Sequence, residues 1–152
     1  MKVERSSVAA IGGAPEFPAL AAEYAAECAI AGLPPPTAKM ETYRQLEAAG
    51  MLQIFAAFDD AGGLIGLITV LAPVLPHYSV PVAVSESFFV ARAHRRTGAG
   101  LALLRAAEDL ARELGSPGLL VSAPFEGDLF RVLPRRGYAE TNRVVFKKVS
   151  DA

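Results

Sequence analysis

One stretch governs what this chain can fold into. Val82 to Val90 is apolar almost throughout, as expected for a strand covered on both faces. A polar turn, Ala91 to Thr97, leads into Gly98–Leu114, a helix with Leu103, Ala107, Leu110 and Leu114 on one stripe and Glu108 placed to pair with Arg112. Gly115-Ser116-Pro117 supplies helix-stop chemistry, and Gly118–Ala123 is a second buried strand. Strand, helix and strand at this spacing form a parallel crossover unit.

The remaining elements arrange themselves around that unit. Gly12-Gly13-Ala14-Pro15 reads as a loop, and Pro18–Ala31 as a helix with Leu20, Tyr24, Cys28 and Ala31 at three-to-four spacing. Gly32 and Pro34-Pro35-Pro36 stop it. Thr37 is a suitable N-cap for a second helix carrying Met40, Tyr43 and Leu46 and ended by Gly50. Leu52–Phe58, the turn Asp59–Gly63 and Leu64–Leu71 make a hairpin. Pro73, Pro76 and Pro81 break up the connection that holds His77 and Tyr78. A short helix near Gly127–Leu133, a turn at Pro134–Tyr138 and a last strand, Asn142–Val149, complete the pattern.

Size and composition narrow the class. At 152 residues the chain is expected to form one domain, 1–152, able to bury a core without disulfides or metal. Apolar residues make up 52%, yet no run approaches the roughly 20 needed to span a bilayer. Met1–Ala10 has no apolar core of a secretion signal, and Cys28 is the only cysteine, so a cytoplasmic protein is expected. The net charge is −1, but Glu86 onward is rich in arginine. No long basic run or aromatic-interleaved patch points to nucleic acid. A small polyanion suits the bias better.

Gly98 and Gly100 lie where a helix begins, so unpaired N–H groups and the positive end of the helix dipole point outward together. Glycine lets a ligand come close to that backbone, and Arg95 and Arg96 add charge suited to phosphate oxygens. The loop is therefore a candidate diphosphate cradle. A dinucleotide fold would need a third glycine and an acidic ribose ligand, and a phosphate-loop nucleotidase would need Gly-Lys-Ser/Thr; neither pattern is present.

Phe88-Phe89-Val90-Ala91-Arg92-Ala93-His94-Arg95-Arg96-Thr97-Gly98-Ala99-Gly100-Leu101 resembles the acetyl-coenzyme A signature of the GNAT superfamily of N-acetyltransferases. The core of that signature is Arg/Gln-x-x-Gly-x-Gly/Ala after an apolar strand ending in Val. Leu133–Tyr138 is similar to the family's Gly-Phe turn, and the order of helices, hairpin and crossover matches. The resemblance implies an α/β (α+β) fold in three α-β-α layers. Its central mixed sheet would carry two N-terminal helices, a splayed parallel strand pair and a crossover helix.

The same resemblance implies an acyltransferase that takes acetyl-coenzyme A as co-substrate. Arg95, Arg96, Thr97, Gly98, Ala99 and Gly100 would hold the diphosphate, and backbone amides of Phe89, Val90 and Ala91 the thioester carbonyl. Small-molecule and peptide amines are both open as acceptors. The acidic N-terminal helices lean toward a cationic one, and homodimers are common in the family.

Direct attack requires an ammonium acceptor to lose a proton. Glu86 is the candidate base, since strand parity sets it with Val82, Val84, Phe88 and Val90, where burial would raise its pKa. The family's usual acid, a tyrosine four residues before the glycine of the turn, is replaced by Leu133, and Tyr138 is read as turn packing. His77 and Tyr78 are weaker candidates for acceptor binding. Cys28 reads as core, and the Asp59-Asp60 turn lacks the further carboxylates of a metal site. A domain of the same fold that binds acyl-coenzyme A without turnover is the alternative, and a purely structural module would bind no coenzyme A at all.

Overall fold

The almost continuously apolar runs Leu52–Phe58 and Leu64–Leu71 form the expected antiparallel hairpin, with Asp59 Oδ1 accepting from the amides of Ala61 and Gly63 at 2.9 Å each to close its turn. The computed structural model describes residues 1–36 and 40–149. In chain order the elements are β1 (Lys2–Ser6), α1 (Val8–Gly13), α2 (Phe17–Cys28), α3 (Met40–Ala48), β2 (Leu52–Phe58), β3 (Leu64–Leu71), β4 (Val74–Leu75), β5 (Val80–Pro81), β6 (Ala83–Val90), α4 (Ala99–Glu113), β7 (Leu119–Val121) and α5 (Asp128–Val132). Single 3-10 turns occupy Arg92–His94 and Leu133–Arg136.

Five strands form one mixed sheet in the order β1-β2-β3-β6-β7, antiparallel except for the β6–β7 pair. Two apolar cores lie on its two faces. On one, Leu103, Leu104, Ala107, Leu110 and Ala111 of α4 pack against Phe55, Ile68, Val70 and Val90. On the other, Val8, Ile11 and Leu20 from α1 and α2 cover Leu52, Ile54, Ala56 and Phe89, with Tyr43 and Leu46 of α3 alongside. The result is helices, sheet and crossover helix in three layers.

The N-terminal region departs from expectation. Lys2–Ser6 is an edge strand paired antiparallel with β2, disguised by its charge, which is how exposed edges avoid pairing with other chains. Arg5 lies over the Phe55 ring, 5.5 Å from its centroid, and bonds Glu113 of α4 at 2.9 Å. Gly12 and Gly13, expected in a loop, close α1 instead. Ser7 caps that helix by accepting from the Ala10 amide at 3.1 Å, and Glu47 accepts from the Val8 amide at 2.9 Å. The proposed cap Thr37 lies outside the described residues.

At the C-terminus the expected strand Asn142–Val149 is not formed. A strand exists only as part of a ladder, and this segment pairs with none among the described residues. It passes instead beside the loop after α2, where a Cβ on Gly32 would stand 3.0 Å from Phe146 Cε1. Val144, Val145 and Val149 are left at 90% exposure or more. No helix among the described residues is long and apolar enough to cross a membrane.

Candidate active site

The site begins where β6 and β7 part. Ala83, Val84 and Ser85 pair with Leu119, Leu120 and Val121, after which β6 runs on to Val90 with no paired strand on that side among the described residues. The Ala91 amide donates to the Ile65 carbonyl at 2.9 Å. Antiparallel pairs alternate between bonded and non-bonded, so Phe89, opposite Leu67, also points its amide at β3. The Val90 amide therefore faces the gap. Of the three amides expected there, Phe89 and Ala91 belong to the ladder and Val90 alone is turned to the opening.

Beyond the gap, α4 starts at Gly98, whose φ of 88° and ψ of −2° place it in the left-handed region. No atom lies within 4 Å of where a Cβ on Gly98 would stand. Among the described residues, the amides of Gly98, Gly100 and Leu101 have no hydrogen-bond partner, and the first bond of the helix is Ala102 N–H to the Gly98 carbonyl at 3.0 Å. Ala99 is fully buried and anchors this entrance to the core. Thr97 Oγ1 donates to the His94 carbonyl at 2.7 Å and accepts from the Ala99 amide at 3.4 Å, which fixes the loop. Such an opening, on a helix of 15 residues, is suited to an anion.

The two arginines diverge. Arg96 is exposed and forms no ion pair among the described residues. Arg95, expected to reach phosphate, is folded back: its Nε donates to the Val90 carbonyl at 3.1 Å, its Nη2 to Glu27 at 2.7 Å, and its guanidinium lies 5.1 Å from the Phe89 ring centroid. Arg92 bonds the same Glu27 at 2.6 Å through Nε, and its amide donates to Glu23 at 3.0 Å. Desolvation pushes the Glu27 carboxyl upward, but hydrogen bonds from Arg95 and Arg92 outweigh it and hold the group below the ordinary carboxylate value. Two acids of α2 thus grip the turn after β6.

Glu86 lies on a β-bulge. Thr69 pairs with Ser87 and Val70 with Ser85, so Glu86 is the extra residue. Before it the parity runs as expected. After it Phe88 and Val90 turn toward α4, while Phe89 turns toward α1–α3. The expectation that Glu86 shares a buried apolar face with Phe88 and Val90 is therefore corrected: Glu86 is exposed and adjoins Ser87 on the side of α2 and α3.

Hydroxyls surround its carboxylate. Tyr43 Oη donates to Glu86 at 3.0 Å, Thr69 Oγ1 at 2.9 Å and Ser87 Oγ at 2.6 Å, while Tyr24 Oη donates to Ser87 Oγ at 3.4 Å. Burial pushes the Tyr43 phenol up to about 12, the neighbouring Glu86 charge adding to the effect, and burial also raises Tyr24. Both phenols stay protonated donors near neutral pH. A carboxylate offers about four lone-pair positions, so three hydroxyl donors leave it room for one more proton.

These hydroxyls form one end of a recess between the sheet and helices α1–α3, enclosing about 770 Å³ of empty space with the solvent at its mouth included. None of the four was singled out from sequence as a site residue. Thr69 and Ser87, polar in apolar strands and adjoining the bulged Glu86, were the available signal. His77 and Tyr78 do not line this recess; they stand exposed at the tip of the β4–β5 hairpin, with ring centroids 5.1 Å apart. Leu133 is buried in the α4-side core, and Tyr138 donates to Glu108 at 2.8 Å with its phenol raised by burial and by that carboxylate.

Residues 19–125 match the family model described as "Acetyltransferase (GNAT) family", and the chain belongs to that family of acetyltransferase enzymes, which transfer acetyl groups from acetyl-coenzyme A to amines. The fold is shared with solved relatives. AAC(6')-Iy in complex with the bisubstrate analogue CoA-S-monomethyl-acetylneamine superposes with a TM-score of 0.75 at 20% identity, covering 98% of this chain and 97% of that one. The aminoglycoside antibiotic 6'-N-acetyltransferase AAC(6')-IG of Acinetobacter haemolyticus gives 0.70 at 22%, covering 99% and 100%. A ribosomal-protein-alanine N-acetyltransferase of Brucella melitensis biovar Abortus 2308 gives 0.69 at 19%, covering 97% and 98%. No curated protein matches the sequence.

Proposed function

We propose that this chain binds acetyl-coenzyme A across the α4 entrance and the β6–β7 gap and acetylates an amine that enters from the side of α1–α3, with Glu86 as general base. The observation that carries the reading is the unfilled space at Gly98, ringed by unpartnered amides at the start of a long helix. Gly98, Gly100 and neighbouring amides would hold the diphosphate, with exposed Arg96 adding charge. Arg95 contributes differently, by fastening β6 to α2 through Glu27 so that the turn keeps its shape. The Val90 amide would orient the thioester carbonyl.

Coenzyme A brings the acetyl group as a thioester, an electrophile that an uncharged amine can attack. Glu86 takes a proton from the acceptor's ammonium, directly or through water, with Tyr43, Thr69 and Ser87 holding the carboxylate in place. The nitrogen then forms a bond to the acetyl carbon and gives up its second proton to water as the carbon–sulfur bond breaks, and the departing sulfur takes a proton from water. A free thiol has a pKa near ~8.5, so it leaves without a dedicated acid. This accommodates Leu133 at the family's tyrosine position. The reading also takes the chain as one domain of a cytoplasmic protein, and the exposed Val144, Val145 and Phe125 favour a homodimer.

Calorimetry with acetyl-coenzyme A at two salt concentrations tests the first half, since phosphate contacts weaken as salt rises. Thiol release against a panel of amines, with Glu86→Gln alongside, tests the second. General base catalysis contributes about 100-fold or more, so kcat should fall by that order while cofactor affinity holds. Binding with no turnover of any amine would favour an acyl-coenzyme A sensing domain instead. An absence of binding would remove the proposal.

A further inference from the structure

The recess beside Glu86 says what kind of amine belongs there. Its walls are Phe17 and Leu20 of α2, Met40 of α3, Ile54 of β2 and Leu67 of β3, with Ala21 between them. Among the described residues no charged side chain lines it; the polar groups there are the hydroxyls of Tyr24, Tyr43, Thr69 and Ser87, gathered at the end next to the Glu86 carboxylate. The acids of α2 that would give a polycation further anchorage are engaged elsewhere, Glu23 and Glu27 with Arg92 and Arg95. Glu47 of α3 is likewise occupied, by the Val8 amide.

From this we infer that the acceptor is a primary monoamine on an apolar body, alkyl or arylalkyl, with its ammonium at the hydroxyl end and its hydrocarbon against the α2, α3 and sheet walls. The inference rests on the acetyltransferase reading above and adds the acceptor class to it. Charge complementarity sets the orientation: one carboxylate at one end of the recess matches one ammonium. An aminoglycoside, which carries several ammonium and hydroxyl groups, would bury most of them against apolar walls without partners, and unpartnered buried polar groups are strongly disfavoured. The acceptor preference therefore departs from that of the aminoglycoside enzymes whose fold this chain shares.

The test is kcat/KM for acetyl-coenzyme A with propylamine, hexylamine, octylamine, phenethylamine and an aminoglycoside, measured by thiol release. Burial of each methylene is worth about fourfold, so hexylamine should exceed propylamine by tenfold or more and the aminoglycoside should trail hexylamine by at least ~100-fold. Ala21→Phe, which narrows the recess, should lower octylamine turnover at least ~10-fold more than propylamine turnover while leaving coenzyme A affinity nearly unchanged. A flat chain-length series, a preferred aminoglycoside, an Ala21→Phe protein that keeps its octylamine activity, or no apolar-amine turnover by a chain that binds coenzyme A would each overturn the acceptor class and leave the cofactor reading standing. Failure to bind coenzyme A would take both down.

Discussion

The two glycines of the α4 entrance do different jobs, and substituting each by alanine separates them. Gly98 has a φ of 88°, a region that costs an L-residue roughly 1–2 kcal/mol, although its Cβ would touch nothing within 4 Å. Gly98→Ala should therefore fold, with a Tm lower by about 2–8 °C, taking 2–4 °C per kcal/mol for a chain of this size. Its methyl would intrude on the space assigned to the diphosphate, so acetyl-coenzyme A affinity should drop by more than the stability does. Gly100 is inside the helix, and its Cβ would meet Phe88 Cζ at 3.7 Å and Val90 Cγ2 at 3.8 Å, which are ordinary contacts. Gly100→Ala gains helix propensity of up to ~1 kcal/mol, so its Tm should rise by about 1–4 °C with cofactor affinity retained. Thermal unfolding followed by circular dichroism and calorimetric titration of both variants give the answer. Equal effects of the two substitutions on stability and affinity would refute the division of labour.

Two further outcomes follow from contacts around the same turn. Glu27 is held below its ordinary pKa by Arg95 and Arg92 against desolvation. The stability it contributes is thus present above the unfolded carboxyl value of about 4.3 and lost as pH falls through the lower folded value. Glu27→Gln should cost about 1 kcal/mol at pH 7 in urea unfolding, and the difference from the parent should shrink below pH 4; a constant gap across that range would contradict the latch. At Gly66 a Cβ would stand 2.9 Å from the Phe89 carbonyl oxygen and 3.2 Å from Val90 Cα, both backbone atoms that cannot swing aside. Gly66→Ala should destabilise by roughly 1–3 kcal/mol and weaken cofactor binding by displacing the end of β6, and unaltered melting would show that the strands have room to separate.

The sequence was most legible where one residue pattern had one structural solution. The hairpin Leu52–Leu71 and the strand–loop–helix run from Ala83 to Glu113 appear within a residue or two of their expected limits. What failed depended on partners distant in the chain. Lys2–Ser6 has no apolar alternation because it lies at the sheet edge, with β2 supplying its register. Asn142–Val149 has the composition of a strand but no ladder among the described residues. Glu86 stands out in the sequence as a carboxylate in an apolar strand, but which neighbours share its face is decided by a bulge set through pairing with Thr69 and Val70. Arg95 likewise shows its charge in the sequence but not its direction, which Glu27, 68 positions earlier, determines.

The bulge also constrains how such a site can arise or be lost. Because it adds one residue to β6 relative to β3, everything from Ser87 onward is rotated by half a pleat. Deleting Glu86 would join Ser85 to Ser87 in an unbroken ladder with Val70 and Thr69, so Phe89 and the Val90 amide would keep their present directions and only the carboxylate would go. One inserted residue thus sets a carboxylate on the α2–α3 side while the strand beyond it keeps its pairing with β3, a change that no point substitution along β6 makes.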